Sequence, residues 1–305
     1  MTTISARLVE DSISAAGVRL STLELRYPRF FHQELLTHRA MARNASSSRA
    51  IPTATMLRML EADPALPLHI GLDQRGMQAT KEVEDSGQRM AVLSLSKQAL
   101  RKAIRATKEM TELFGVAKQV ANRITEPWQH INVIVSATDW ENFFALRCHP
   151  DAEPHFRALA WLIADAYYGS TPKPVAAGGW HLPYLMPEDM DLSIEVQKKV
   201  SAARCARVSY KLFDGSNPSL EGDLALCDKL LAGLRAGGGE PGHLSPFEHQ
   251  AQALASADER SGPFRGWRQH RKEYVGENMT FDYEAAKAKG WRDTALAILE
   301  KRKDP

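Results

Sequence analysis

The stretch THRAMARNASSSR, Thr37 to Arg49, crowds His38, Arg39, Arg43 and Arg49 together with Asn44 and three serines. Almost nothing in it can fill a core. Serine hydroxyls, backbone N–H groups and fork-shaped guanidinium groups are what a phosphate needs. A solvated basic loop has the same composition, so the residues alone leave both readings open. A second stretch, WENFFALR (Trp140 to Arg147), sets Asn142 and Arg147 among large apolar residues. An arginine is seldom buried unpaired, so Arg147 meets either a carboxylate in a structural ion pair or a ligand. A third region joins CARVSY, from Cys205, to GHLSPFEHQ, from Gly242. It supplies Ser209, His243, Ser245, Glu248 and His249 around a proline turn. The spacing of its histidines is neither HExxH nor a zinc-finger pattern, so no metal site is expected.

Several classes of function are disfavoured. No GxxxxGK[ST] P-loop and no GxSxG nucleophile elbow is found. Cys148, Cys205 and Cys227 are odd in number and widely spaced. That argues against a disulfide framework or a zinc knuckle and points to a reducing cytoplasm. The formal net charge of +2 over 305 residues gives no overall field toward nucleic acid or membrane. There is no long uncharged apolar run and no secretory h-region at the start, so no membrane association is expected.

The elements that must position these residues can be sketched from periodicity. Val18, Leu20 and Thr22, then Leu23, Leu25 and Tyr27, alternate as a strand ending near Pro28. Phe30 to Arg39 reads as a short helix or strand-to-helix turn. From Gln98 to Ile124 a helical stripe of Leu100, Ala103, Ile104, Met110, Leu113, Phe114, Ala117, Val120, Ala121 and Ile124 predicts one core helix. His130 to Ser136 is a short strand. Trp140 to Leu146 and Phe156 to Tyr167 are helices, with Thr138 or Asp139 and then Asp151 as their caps. Gly169 to Asp191 is a Pro/Gly-rich connection. Helices are expected over Ile194 to Val208, Leu220 to Leu234 (ended by Gly237, Gly238 and Gly239) and Glu284 to Leu299, and a strand within residues 245–257. Strands and helices do not alternate as βαβ units, which predicts an α+β fold.

Taken together, these stretches resemble the flavin-dependent thymidylate synthase family. The signature of that family is Arg-His-Arg, seven residues, then Ser. Here Thr37-His38-Arg39 is followed by seven residues and Ser47, with Arg49 two further on. RYPRFFHQELL precedes it as the lead-in. QVANRITEPW matches the family helix whose arginine contacts substrate (Arg123), and WENFFALR the segment whose last arginine binds the pyrimidine (Arg147). CARVSY and GHLSPFEH match segments that precede the signature in the family but follow it here. GPFRGWRQHRKEYVGEN, Gly262 to Asn278, resembles a second partial copy of the signature region, or is a basic helix face over Arg268 to Lys272. A circular permutation with a duplicated overlap gives this order. The implied architecture is a single domain over residues 1–305, with helices around an antiparallel sheet and its segments permuted.

The resemblance implies FAD as cofactor, NADPH and methylenetetrahydrofolate as co-substrates, a deoxynucleoside monophosphate as substrate, and a homotetramer whose sites are shared between subunits. It places Glu34, Ser47, Ser48, Arg49, Arg123 and Arg147 on the substrate, with Arg147 the catalytic cation. It places His38, Arg39, Asn142, Ser209, His243 and Ser245 on flavin. The chain departs from the pattern at Thr37 (for arginine), Ala45 (for glutamate), Glu34 (for glutamine), and Ser136 and Thr138 (for a flavin-holding asparagine and arginine). Gln269 or Glu277 are candidates to supply lost groups. The implied reaction is reductive methylation of dUMP at C5. Glu34 also suits the amino group of cytosine, so dCMP or a hydroxymethyl product is the alternative. A non-enzymatic single-strand binder stacking bases on Trp267 or Trp291 is the third reading, disfavoured by the near-neutral charge.

Overall fold

The computed structural model describes residues 4–76, 81–208, 219–235, 243–275, 277 and 281–300. Strands β1 (Ser5–Ser14) and β2 (Arg19–Pro28) form a hairpin turned by Gly17, whose φ of 78° suits glycine. Helix α1 (His32–Leu36), strand β3 (Ala42–Ala45) and helices α2 (Thr53–Ala62), α3 (Ser86–Glu112) and α4 (Lys118–Ala121) follow. Then come β4 (His130–Ala137), α5 (Glu141–Arg147), α6 (Pro154–Tyr168), β5 (Lys173–Val175) and β6 (Trp180–His181). The C-terminal part holds α7 (Ile194–Ala206), α8 (Leu220–Arg235), the short strands β7 (Ala251–Ala253), β8 (Arg260–Ser261), β9 (Phe264–Arg265) and β10 (Trp267–Gln269), and helices α9 (Tyr283–Ala288) and α10 (Trp291–Glu300).

The main sheet has the order β3-β4-β2-β1-β5 and is antiparallel except for the β1–β5 pair. A second sheet, β10-β7-β6, lies in the C-terminal part. This is the mixed α+β architecture expected. Alternation along β2 and β4 decides what each sheet face meets. Leu23, Leu25 and Tyr27 with Ile131, Val133 and Val135 pack against Phe143 and Phe144 of α5 and Phe156, Leu159 and Ile163 of α6, forming the largest core. Each such side chain contributes roughly 1.5–3 kcal/mol when fully buried. The opposite face is covered too. Thr22 and Ser136 stand opposite one another there and are fully buried, as are His181 and His249. Two covered faces explain why the alternation in β2 changes phase near Thr22 in the sequence.

Some expectations are corrected. The helix expected over Gln98 to Ile124 starts at Ser86, capped by Asp85, and ends at Glu112. Gly115 then adopts φ 62° and turns the chain into α4. Leu113, Phe114 and Val120 are consequently exposed, while Leu100, Ala103 and Ile104 are buried as expected. Neither Thr138 nor Asp139 caps α5. Glu153, not Asp151, caps α6, its carboxylate accepting from the Phe156 N–H at 2.7 Å. The last helix is broken by Gly290 at φ 71° into α9 and α10. Residues 245–257 begin as a 3₁₀ turn (Ser245–Glu248) before β7. The 169–191 connection is ordered around β5 and β6. Gly237, Gly238 and Gly239 lie outside the described residues.

Candidate active site

Strand β3 has a chemically distinct group at each end. At its N-terminal end, α1 and α5 bring Glu34, Thr37, His38 and Arg147 together. Trp140 and Phe143, both essentially buried, seat α5, and Arg147 projects from its last turn over the Phe156 ring at 5.1 Å. The guanidinium donates from Nε to His38 Nε2 at 2.8 Å, from Nη1 to Glu34 Oε2 at 2.8 Å and from Nη2 to Thr37 Oγ1 at 2.9 Å. The ion-pair reading of Arg147 is met by Glu34, and the same side chain also lines a cleft. Burial, then the nearby Arg147 and Arg43 charges, lowers the His38 pKa to about 4. A neutral imidazole whose Nε2 accepts from arginine is the consistent state. Arg43 fixes the loop by donating to the Leu35 and His38 carbonyls at 2.8 and 2.7 Å.

The cleft beside this cluster has a volume of about 510 Å³ and is lined by Thr37, His38, Arg39, Asp139, Asn142 and Arg147 among others. Arg39 and Asn142 are exposed, and neither side chain hydrogen-bonds to a described residue. At the other end of β3 the chain turns through Ser47, Ser48 and Arg49. Asn122 holds that turn by donating to the Ser48 and Ile51 carbonyls at 2.8 and 2.9 Å. The Ser48 hydroxyl donates to Glu126 at 2.7 Å, and Glu126 pairs with Arg29 at 3.2 Å. Arg49 is exposed, with no side-chain partner among the described residues. Arg123 is exposed and, among the described residues, donates only to the Gln119 carbonyl, at 3.1 Å. Arg147 and Arg49 thus stand beyond opposite ends of a four-residue strand, which spans roughly 13 Å, and among the described residues Arg147 shares no hydrogen-bond partner with Arg49 or Arg123.

The late segments pack beside the signature strand. Asn44 donates to the Cys205 carbonyl at 3.0 Å, and the Ser245–Glu248 turn lies against β3. His243 and Ser245 are exposed, and Ser209 lies outside the described residues. Ser136 and Thr138 are spent internally. The Ser136 hydroxyl lies 2.6 Å from Thr22 Oγ1 and 2.9 Å from His249 Nδ1, and Thr22 lies 2.8 Å from His181 Nε2. Burial lowers the pKa of both His181 and His249 to about 3. The Thr138 hydroxyl accepts the Arg265 backbone N–H at 3.1 Å, which is why it caps no helix. In the second partial copy, Gln269 donates to the Glu248 carbonyl at 3.0 Å, and Glu277 pairs with Arg271 and Lys272, so neither serves the cleft. Trp267 is fully buried, with its indole N–H on the Val18 carbonyl, and so cannot stack a base. Trp291 is exposed. Among the described residues no cluster of three or more metal-ligating side chains occurs. Asp139, which lines the cleft, was legible in the sequence only as a helix-cap candidate, and Arg260 and Arg265, 3.8 and 3.6 Å from it, carried no signal there. Asn122 and Glu126 were legible only as part of QVANRITEPW.

The family model for thymidylate synthase complementing protein matches residues 19–173, just over half of the chain. The chain belongs to that family. It is the flavin-dependent thymidylate synthase family of the motif resemblance, and the matched span runs from β2 to β5, taking in both ends of β3 and all of α5. As a member, the protein is a methyltransferase enzyme whose chemistry is methylation of a nucleotide at C5. No curated protein matches the sequence. Two solved structures of the UMP/dUMP methylase PolB from Streptomyces cacaoi, bound with 5-Br dUMP and 5-Br UMP, superpose with a TM-score of 0.47. Their identities are 15% and 16%, over 55% of this chain and 91% and 90% of theirs. Likeness at that level decides nothing about substrate. No helix among the described residues is long and apolar enough to cross a membrane.

Proposed function

We propose that this family member transfers a one-carbon unit from methylenetetrahydrofolate to C5 of dUMP, with reduction to dTMP. The observation that carries the proposal is the Arg147 cluster. Three N–H groups of its guanidinium are fixed by His38, Glu34 and Thr37, out of the five an arginine carries. The remaining N–H groups are left for a base edge. A preorganised cation beside the N3–C4–O4 edge stabilises the electron-rich, enolate-like pyrimidine, so that C5 attacks the one-carbon unit. No protein nucleophile is needed, and the cysteines suit none. Burial raises the thiol pKa of Cys205 and Cys148, and Cys227 is fully buried.

FAD, re-reduced by NADPH, supplies the hydride when bound. The donor set of the cleft suits it: Arg39 and Asn142 are unspent, and the neutral His38 ring edge lies beside them. Ser136 and Thr138 are engaged elsewhere and hold no part of it. His243 and Ser245 are exposed near β3 and complete the proposed flavin contacts; Ser209 lies outside the described residues. Ser48, expected on the substrate too, is buried with its hydroxyl spent on Glu126, and shapes the turn instead. Arg49 and Arg123, with Ser47, hold phosphate and sugar. Their distance from Arg147 along β3 supports a homotetramer in which the phosphate corner of one subunit completes the cleft of another. Exposed Leu113 and Phe114, together with Met90 and Leu95 on α3, offer apolar surface for that assembly. The packing of the Cys205 and Ser245–Glu248 segments beside β3 supports a single, permuted domain. A cytoplasmic setting is proposed with it.

The second reading keeps the site and changes the base or product. Glu34 presents a carboxylate beside Arg147, and the 4-amino group of cytosine donates to such an acceptor. Release of tritium from C5 of labelled dUMP and dCMP, with and without NADPH, tests both. NADPH-dependent release from dUMP supports the first reading, and preferential release from dCMP the second. Release from neither contradicts both.

A further inference from the structure

The β8–β9 hairpin arrives from the far end of the sequence against Thr138 and Asp139, the second of which lines the Arg147 cleft. Arg260 and Arg265 are directly opposed across the hairpin. Like charges in that register repel and destabilise a hairpin. The hairpin is nevertheless firmly seated. Phe264 is fully buried in a core with Val18, Leu20 and Trp267. Gly266, at φ 69°, lies so close to Val18 that a Cβ there would meet its methyl at 2.8 Å. The Arg265 N–H is held by the Thr138 hydroxyl at 3.1 Å and the Gln269 N–H by the Ser261 hydroxyl at 3.1 Å.

The carboxylate that faces this arginine pair is Asp139, a lining residue of the cleft. It lies 3.6 Å from Arg265 Nε and 3.8 Å from Arg260 Nη1, beyond good hydrogen-bonding distance in both cases. Arg39 lies on the same cleft without a side-chain partner among the described residues. Two guanidinium groups thus face one carboxylate, with Arg39 unpaired on the same cleft, while Arg147 is already balanced by Glu34. A rigid support that holds two like charges together next to a cleft is matched by an anion with several acceptor oxygens.

We propose that Arg260 and Arg265 are binding residues: with Arg39, they clamp the phosphate-type group of a ligand whose ring system enters the Arg147 cleft. The inference rests on the reading of that cleft as the nucleotide and flavin site. A phosphate at this place has two sources, the pyrophosphate of a flavin dinucleotide and the ester of the nucleotide substrate.

The full chain and two variants, the double substitution Arg260→Gln/Arg265→Gln and Asp139→Asn, separate them. FAD and riboflavin binding are followed by flavin fluorescence and dUMP binding by calorimetry. The double variant is expected to bind one phosphate-bearing ligand about tenfold or more weakly, with riboflavin within about twofold of wild type. Asp139→Asn, which removes the competing carboxylate, is expected to tighten the same ligand by roughly threefold; such a gain does not arise from misfolding. Loss confined to FAD assigns the clamp to the dinucleotide, and loss confined to dUMP assigns it to the substrate. Unchanged affinity for both, equal losses for FAD and riboflavin, or no binding of either phosphate ligand by the wild type overturns it. A wild-type protein that binds FAD through the clamp yet releases no tritium from any pyrimidine would instead refute the proposed reaction.

Discussion

Two His-Arg dipeptides of similar local sequence have opposite fates in this protein. His38-Arg39 sits in a loop between α1 and β3 and borders a cleft. His270-Arg271 follows β10; its histidine is absorbed into the interior and its arginine is half-buried among carboxylates. His270 packs among Trp180, Phe247 and Tyr274, is nearly fully buried, and has its pKa lowered to about 3 by burial and then by Lys198. Arg271 is neutralised by Glu248 and Glu277. The difference lies in the neighbours rather than in the dipeptide. Carboxylates and aromatic rings close around the second copy, whereas Arg39 pairs with no carboxylate among the described residues and lines an open cleft. A motif specifies a site only where its charges are left uncompensated toward a cavity.

The largest expected effect comes from Arg147→Ala. Removing the preorganised cation should lower kcat/KM for the preferred pyrimidine nucleotide by about a hundredfold or more. Steady-state kinetics check this, and unchanged turnover would remove Arg147 from the chemistry. Next is Arg49→Gln. If that exposed guanidinium holds phosphate, KM should rise roughly tenfold with kcat little changed. A fall in kcat at constant KM would contradict that role.

Acid sensitivity is the third. His181, His249 and His270 have folded pKa values of about 3, below the unfolded value near 6.5. The unfolded chain therefore takes up protons first as pH falls. Stability is fully present above about pH 6.5 and declines down to about pH 3, by up to about 1.4 kcal/mol per pH unit for each histidine. Urea unfolding at pH 7, 5 and 4 measures it. Replacing His270 by Phe should make the decline shallower, and an unaltered slope would show that His270 does not titrate in this way. The smallest effect is at the second copy. Arg271→Gln should cost on the order of 1 kcal/mol and a few degrees of Tm, while kcat/KM stays within about threefold. A large loss of activity with normal stability would break the comparison.

Much of this was legible in the sequence. HINVIVS is β4, the stretch from Thr37 to Arg49 encloses β3, and α5 and α6 lie within two residues of their expected bounds. Glu34, His38 and Arg147 were singled out and meet at one point. What escaped has a physical cause in each case. SARLVEDSIS in β1 carries polar residues on a strand whose partners are β2 and β5, so its periodicity is weak. Leu113 and Phe114 continue the apolar stripe of α3, but Gly115 ends the helix and leaves them in solvent. The hairpin arginines reach Thr138 and Asp139 across more than a hundred residues, a juxtaposition that no local pattern encodes. Ser136 and Thr138 read as lost flavin contacts, yet one completes a buried hydroxyl–imidazole network and the other anchors the hairpin.

The most direct test of the central claim is a crystal structure of the protein with 5-bromo-dUMP, with the anomalous signal of bromine locating the base. The account places the bromine in the cleft between His38 and Arg147, with the guanidinium on the base edge. Bromine beside His270 and Arg271, or anywhere outside that cleft in every subunit, would contradict it.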